Sequence, residues 1–174
     1  MCDISALLVD LRAYLEVFLG THLPNVHENW WRDGVWNVLT ERQRGVLDRK
    51  GNYNLSALDL AALLRVLDQN WYRISQQLNV SREDRHYLKE MISIRNKWAH
   101  PDGLDVSEED MYRDLDTIQR FAVFIDADEK FVEKIKEEKS KILRAAPEKE
   151  REMETSAKEI ITERLNFQLE RLLF

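Results

Sequence analysis

The sequence predicts an all-α helical bundle, and three observations lead to that prediction. Only five Gly and three Pro occur in 174 residues, so long helices meet few interruptions. Apolar residues recur at intervals of three and four, and no stretch alternates strictly between apolar and polar residues as a half-buried strand does. Three segments carry a helix-start signature, a Ser followed three residues later by an acid, and these begin at Ser56, Ser81 and Ser107.

The first half of the chain divides into four segments. Residues 3–19 have helical apolar spacing, and Gly20 is expected to end that helix. A segment rich in Trp follows Pro24, and residues 42–51, which contain Gly45 and Gly51, are interpreted as a loop. A leucine-rich helix is expected from Ser56. The first helix, the Trp-rich segment and the leucine-rich helix each carry an apolar stripe. In that order the stripes are Leu7, Leu8, Leu11, Tyr14, Leu15 and Phe18; Trp30, Trp31, Val35 and Leu39; and Leu60, Leu63, Leu64, Leu67, Trp71, Ile74 and Leu78.

The second half contains two further helices and a segment of different composition. One helix is predicted over about residues 82–99, and another opens at Ser107 with a packing stripe of Met111, Leu115, Ile118, Ala122 and Ile125. From residue 126 Lys and Glu interleave, with a last helix from about 150 to 174. We therefore expect a helical domain over residues 1–125 and a charged helical extension over 126–174. The extension either packs as a final helix or leads into a further domain.

Charge and cysteine content indicate a soluble cytoplasmic protein. The net charge is −6, and the acidic excess lies after residue 100: residues 1–100 hold 13 Lys and Arg against 12 Asp and Glu, whereas residues 101–125 hold 2 against 7. The single Cys2 has no partner for an intrachain disulfide, which fits a reducing compartment. The first apolar run is interrupted by Asp10, Arg12 and Glu16, so we expect no signal peptide and no membrane span.

The hexapeptide from Arg95 to His100 is the candidate for chemistry. Arg95 is predicted to share a helix face with Leu88, Met91, Ile92 and Ala99, so its guanidinium needs an ion-pair partner, an exit to solvent or a ligand. Pro101 disfavours the α conformation at His100, so the helix is expected to end there.

The end of that helix suits an imidazole. The carbonyl end of the helix favours an imidazolium, so the ring of His100 is a candidate proton donor, and Asn96, one turn earlier, can fix it by a hydrogen bond. A structural arginine and a histidine that only caps the helix are the alternatives.

The sequence resembles the HEPN superfamily (higher eukaryotes and prokaryotes nucleotide-binding) over roughly residues 1–125. Two segments carry the resemblance: the leucine-rich stretch 58–71, LDLAALLRVLDQNW, and residues 94–101, IRNKWAHP. They are similar to one branch of the superfamily, which occurs on a eukaryotic transcript quality-control endoribonuclease and at the N-termini of bacterial helicases and ATPases.

The resemblance implies a metal-independent endoribonuclease that acts as a homodimer, in a defence or RNA quality-control setting. Two subunits would face each other across one cleft, with His100 transferring protons, Arg95 binding the phosphate and Asn96 orienting His100 or the RNA backbone. Trp98 is an expected interface anchor, with core packing as the alternative. An ATPase or helicase in the same chain or complex is an expected partner.

Five cations are expected to contact RNA. They are Arg42, Arg44, Arg49, Lys50 and Lys97, of which the first four form a basic cluster in the expected loop. A solvated surface loop is the alternative interpretation of that cluster.

Other chemistries are not supported by the sequence. It has no Gly-rich phosphate loop and no Cys and His set with metal-ligand spacing, so we expect no metal and no cofactor. His22, His27 and His86 are interpreted as surface residues. Toxin members of the superfamily that are silenced by nucleotidylation carry a Tyr where this chain has Asp102, so that control is not expected.

A second hypothesis is a non-catalytic HEPN module that dimerises or docks a larger ATPase or helicase.

Overall fold

The structure is a computed structural model, and it describes residues 3–80, 84–99 and 106–144. These residues form an all-α bundle without strands, as the sequence predicts. No helix among the described residues is long and apolar enough to cross a bilayer. The helices are α1 (Ile4–Val26), α2 (Glu41–Lys50), α3 (Leu60–Leu78), α4 (Asp84–Trp98), α5 (Glu108–Phe124) and α6 (129–144), with a π-helical turn at Trp30–Val35 and 3-10 turns at Trp36–Val38 and Leu55–Ala57.

The core lies where α3 packs against α1 and α4, and α5 closes it by packing on α4. The predicted stripes supply most of the core, because all their leucines and isoleucines except Leu78 and Ile92 are almost completely buried. One large core residue outside those stripes is Phe121, which is fully buried and contacts Phe124 at 6.1 Å between ring centroids. Fully buried members of the core are Leu11, Leu15, Leu63, Leu67, Ile74, Leu88, Met91, Leu115 and Ile118.

Helix α1 continues past Gly20 to Val26, so the predicted end at Gly20 is wrong. A glycine inside a helix costs about 1 kcal/mol relative to alanine. Leu19 and Leu23, on either side of Gly20, are both fully buried, and burying such side chains stabilises the helix by about 1.5–3 kcal/mol each. Pro24 falls in the last turns of the helix, and the chain leaves it at His27 in an extended conformation.

Residues 41–50 form helix α2, so the interpretation of residues 42–51 as a loop is wrong. Thr40 and Gln43 form a complete capping box at its start, and Gly51 ends it in the left-handed conformation with φ of 59°. Leu47 is fully buried and fixes the helix to the core. The capping box, the buried leucine and the terminal glycine together outweigh the low helix propensity of Gly45.

Asp59, and not Ser56, caps helix α3. The Asp59 side chain accepts a hydrogen bond from the Ala62 N–H at 2.8 Å, whereas Ser56 lies in the preceding 3-10 turn, which Asn54 caps. The predicted cap at Ser107 is confirmed, because its hydroxyl accepts from the Asp110 N–H at 3.1 Å. The predicted cap at Ser81 lies outside the described residues.

Helix α6 packs on the bundle through its apolar residues. Phe131 and Ile135 are buried, and the Phe131 ring stacks on Tyr14 of α1 at 4.9 Å between centroids. The Lys139 ammonium lies 2.6 Å from Asp116 of α5, and this hydrogen bond holds the pKa of the Asp116 carboxyl below its usual range. The helix expected over residues 150–174 lies outside the described residues, and the domain boundary after residue 125 stays a prediction.

Candidate active site

Arg95 lies at the edge of the buried face of α4, one turn before the helix ends. Leu88, Met91 and Ile94 form that face, because α4 packs between α3 and α5. The side chain of Arg95 is 28% exposed, while Ala99 is exposed and Ile92 half-buried. The buried face of α4 is therefore rotated by about one residue from the predicted face. Arg95 reaches solvent at the margin of the buried face and does not interrupt the apolar stripe.

Two side chains of the same protein accept hydrogen bonds from the guanidinium of Arg95. Its Nη2 donates to Oδ2 of Asp59 at 3.3 Å, and its Nη1 donates to Oδ1 of Asn96 at 3.3 Å. Of the three solutions expected for this arginine, the structure contains the ion pair and a partial exit to solvent. A planar guanidinium carries five N–H donors, so donors remain for a further acceptor.

A groove of about 570 Å³ lies between α2, the start of α3 and the end of α4. We call it the Arg95 groove. Its apolar floor includes Leu58 and Ala62, and Asp59 is the only carboxylate among the described residues that line it. Three cations on its walls therefore face one acid, which suits a polyanion such as RNA. The polar side chains on its wall are Thr40, Arg42, Gln43, Lys50, Asp59 and Arg95.

The structure divides the predicted basic cluster of α2 into two pairs. Arg42 and Lys50 line the Arg95 groove, and the Lys50 ammonium also donates to the Ala57 carbonyl at 3.3 Å. Arg44 does not line this groove, since its guanidinium lies over the Trp36 ring at 5.9 Å from the centroid. Arg49 is exposed on α2 outside the groove lining. The helical rotation of about 100° per residue places Arg44 on the opposite side of α2 from Arg42, but it does not account for Arg49, which lies only about 20° from Arg42.

Lys97 and Trp98 face α5 and do not line the Arg95 groove. The Lys97 ammonium and the Trp98 indole N–H both donate to Oδ2 of Asp114 at 2.8 Å. Asp114 is only 13% exposed, and Trp98 is half-buried against the core. The RNA contact of Lys97 and the interface contact of Trp98 stay predictions, and both residues already have a partner within the chain.

Asn96 is exposed at the end of α4, where its contact is with Arg95. His100, the predicted proton-transfer residue, lies outside the described residues, as does Asp102. The proposed orientation of His100 by Asn96 therefore stays a prediction.

Asp59 and Arg12 are site residues that sequence reasoning missed. Arg12 donates from Nε to the Leu58 carbonyl at 2.9 Å and from Nη2 to the Ser56 carbonyl at 2.7 Å, so it holds the segment that ends at Asp59. In the sequence Asp59 stands out only as the acid of the helix-start signature at Ser56 and as part of the leucine-rich stretch, and neither indicates a contact with Arg95. Its contact with Arg95 spans 36 residues and leaves no local pattern.

The histidines outside the hexapeptide differ in their surroundings. His86 is exposed, as predicted. The surface interpretation of the other two is wrong, because His22 packs on Phe18 at 4.5 Å between ring centroids and His27 is half-buried. The His27 Nε2 lies 2.6 Å from Oδ1 of Asn70, a buried amide whose Nδ2 donates to two carbonyls. Nε2 must therefore carry the proton, which makes this histidine a structural donor.

Neither a metal site nor a second phosphate site emerges from the rest of the described chain. No group of three or more His, Cys, Asp or Glu side chains that could hold a metal occurs among the described residues. A larger groove of about 640 Å³ lies between α4 and α5, but Glu90, Asp114 and Asp116 line it beside its cations. Its mixed charge fits a phosphate chain less well than the Arg95 groove.

Comparison with known proteins identifies the family. The family model described as Swt1-like HEPN matches residues 6–126, a range that runs from the first turn of α1 to the end of α5 and includes Arg95, Asn96 and His100. Neither the curated proteins nor the solved structures give a match. HEPN domains are often ribonucleases. Because the match covers well over half of the chain and the structure is an all-α bundle, this protein belongs to the Swt1-like HEPN family.

Proposed function

We propose that this protein is a metal-independent endoribonuclease whose site consists of Arg95 and Asn96 in the last turn of α4 together with His100. The observation that carries the proposal is the position of Arg95: within a matched HEPN domain, its guanidinium opens onto a groove lined by Arg42 and Lys50. These three cations provide contacts for successive phosphates of a single strand, and the half-exposed site leaves room for a flexible chain.

The reaction is a transfer of the phosphoryl group to the neighbouring ribose oxygen. The 2′-OH attacks the adjacent phosphorus, the bond from phosphorus to the 5′ oxygen breaks, and the products carry 2′,3′-cyclic phosphate and 5′-OH ends. His100 takes the 2′-OH proton or protonates the leaving 5′ oxygen, a role that contributes about 10²- to 10⁴-fold in rate. Arg95 binds the phosphate and stabilises its developing charge through the planar donor fork.

The proposed active species is a homodimer in which the Arg95 and His100 residues of two copies face one cleft. Two guanidinium groups that converge on a two-fold axis repel each other unless an anion lies between them. An RNA phosphate supplies that anion. In each copy Asp59 offsets part of the repulsion, because its carboxylate lies 3.3 Å from the guanidinium.

The second candidate function is a non-catalytic HEPN module that dimerises or docks a larger ATPase or helicase. The intramolecular pairing of Arg95 favours this candidate, since Asp59 and Asn96 already pair with the guanidinium without a ligand. A structural arginine has the same contacts. The two candidates differ in what substitution of Arg95 and His100 changes: cleavage in the first, and neither partner binding nor oligomeric mass in the second.

Cleavage of labelled single-stranded RNA in the presence of EDTA tests the nuclease. Arg95→Ala and His100→Ala are expected to abolish cleavage, while the wild type yields cyclic-phosphate ends. Matched controls are Arg113→Ala, an arginine of α5 that pairs with Glu109, and His86→Ala, an exposed histidine of α4. Both controls are expected to cleave at the wild-type rate. Absence of wild-type cleavage, or equal cleavage by all variants, contradicts the nuclease and favours the module.

Sedimentation of the same proteins tests the dimer. If the wild type is strictly monomeric at micromolar concentration, a site shared by two copies of the chain cannot form, and the proposed dimer is wrong. Arg95→Ala is expected to keep the mass of the wild type, because the substitution removes charge repulsion at the two-fold axis and no apolar contact.

A further inference from the structure

We infer that Asp59 is a positioning residue for the proposed reaction, which fixes the guanidinium of Arg95 so that its free donors face the Arg95 groove. The inference rests on the proposed nuclease function. It concerns a residue that contacts neither the reacting atoms nor the RNA in that proposal and that acts through Arg95.

The two oxygens of the Asp59 carboxylate have different partners. Oδ1 accepts from the Ala62 N–H at 2.8 Å and caps α3, while Oδ2 accepts from Nη2 of Arg95 at 3.3 Å. The cap fixes the rotation of the carboxylate, because Oδ1 is held by the Ala62 N–H at the helix N-terminus. Although the Asp59 side chain is 63% exposed, its second oxygen is therefore held at one place beside Arg95.

The backbone that precedes Asp59 is held from two sides. Arg12 donates to the carbonyls of Ser56 and Leu58, and Glu16 holds the same guanidinium at 2.9 Å. From the other side, Lys50 donates to the Ala57 carbonyl. The segment is thus tied to both α1 and α2. A carboxylate on such a segment orients a long and flexible arginine better than a carboxylate on a free loop.

The orientation of Arg95 matters because a phosphate accepts two parallel N–H bonds from a guanidinium only when the plane of the fork is aligned with it. The contacts with Asp59 and Asn96 use one donor from each terminal nitrogen and define that plane. Without Asp59, Arg95 keeps its charge but samples several rotamers. We therefore expect loss of Asp59 to lower kcat while RNA binding is retained.

Two substitutions of Asp59 separate the cap from the ion pair. Asp59→Asn keeps an amide oxygen for the cap, which Asn provides as well as Asp, but removes the carboxylate charge that holds Arg95. Asp59→Glu keeps a carboxylate for Arg95, but Glu is a poor N-cap. We expect Asp59→Asn to keep the wild-type Tm and to lose about 10- to 100-fold in kcat, since misplacement by about 1 Å has effects of that size. Asp59→Glu is expected to lower Tm and to retain most of the kcat.

A matched control is Asp68→Asn. Asp68 lies on α3 and pairs with Arg85 and Lys89 of α4, so this substitution removes an equal charge between the same two helices, away from the groove lining. The KM of Asp59→Asn for RNA is expected to stay equal or to fall, because the groove loses its negative charge. A purely structural role of Asp59 cannot produce a lower kcat with unchanged Tm and KM.

The outcomes distinguish this inference from the function on which it rests. Unchanged or increased kcat in Asp59→Asn overturns the inference, and an increase means that Asp59 competes with phosphate for Arg95. An equal loss of kcat in Asp68→Asn, or a loss of kcat that follows Tm in both Asp59 variants, overturns it as well. In each of these cases the nuclease stands if Arg95→Ala and His100→Ala abolish cleavage. A wild type that does not cleave RNA removes both the function and the inference.

Discussion

The salt dependence of RNA affinity measures how many cations of the Arg95 groove contact phosphate. The perturbation is Arg42→Ala with Lys50→Ala, in a His100→Ala background that prevents cleavage during the titration. Both residues are exposed on α2, and both line the groove with Arg95. Their removal leaves one cation on the groove wall, so the electrostatic contribution of the site is expected to fall to about one third.

The magnitude follows from counterion release. Each phosphate contact on a single strand contributes about −0.7 to the slope of log K against log salt, so the three cations predict a slope of about −2.1 per chain. A rise from about 50 to 200 mM salt then weakens binding about 18-fold in the parent, but only about 2.6-fold in the double variant, whose predicted slope is about −0.7.

Fluorescence anisotropy with a labelled single-stranded RNA at several salt concentrations gives both slopes. The matched control is Arg85→Ala with Lys89→Ala, which removes two cations from α4 that pair with Asp68 and do not line the groove. Its slope is expected to equal that of the parent. If the groove variant keeps the parent slope, or if the control loses as much, the Arg95 groove is not the path of the RNA.

Two further predictions concern the stability of the bundle. Asn70→Leu is expected to lower the free energy of unfolding by about 2–4 kcal/mol in urea denaturation, because the buried Gly34 carbonyl and the His27 ring lose their hydrogen-bond partner. Asp116→Asn is expected to cost about 0.5–1 kcal/mol at pH 7, as is typical of partly exposed ion pairs. The pKa of Asp116 is lowered in the folded state by its hydrogen bond with Lys139. The ion pair therefore stabilises the wild type above about pH 4, and this stabilisation is lost as the pH falls further. The difference in free energy of unfolding between the wild type and Asp116→Asn should then disappear.

Substitutions at exposed positions of the same helices serve as controls. Gln77→Leu on α3 and Glu137→Gln on α6 are both expected to change the free energy of unfolding by less than about 0.5 kcal/mol. A cost below about 1 kcal/mol for Asn70→Leu contradicts the structural role of this amide. A difference between Asp116→Asn and the wild type that persists at pH 2 contradicts the ion pair.

Helical periodicity predicted most of the fold correctly. The apolar stripes of α1, α3 and α5 are buried, and the Ser107 cap lies where its sequence pattern indicates. The errors in helix bounds fall at places where a glycine or a cap was judged by sequence alone, and two further errors concern the buried face of α4 and the burial of His22 and His27. Gly20 and Gly45 lie inside helices, because a cost of about 1 kcal/mol for glycine is smaller than the gain from burying the neighbouring leucines.

The candidate site was predictable only in its local part. Arg95 and Asn96 are neighbours in the sequence and contact each other in the structure. Arg42 and Lys50 are predicted from composition, but nothing in the sequence separates them from Arg44 and Arg49. That separation appears only in the tertiary structure, where the guanidinium of Arg44 lies over Trp36 and Arg49 stays outside the groove lining, although helical rotation alone places Arg49 about 20° from Arg42.

The sequence by itself determined the helical class, the faces of α1, α3 and α5 that enter the core, and the family, because these depend on residue types at short and regular spacings. The tertiary structure decided which acid pairs with Arg95, which cations share its groove, and how Arg12 fixes the segment before Asp59. These contacts join residues 36 to 53 positions apart, and their geometry depends on how the buried faces of several helices pack together. Packing of that kind is a property of the whole core, so no local pattern encodes it.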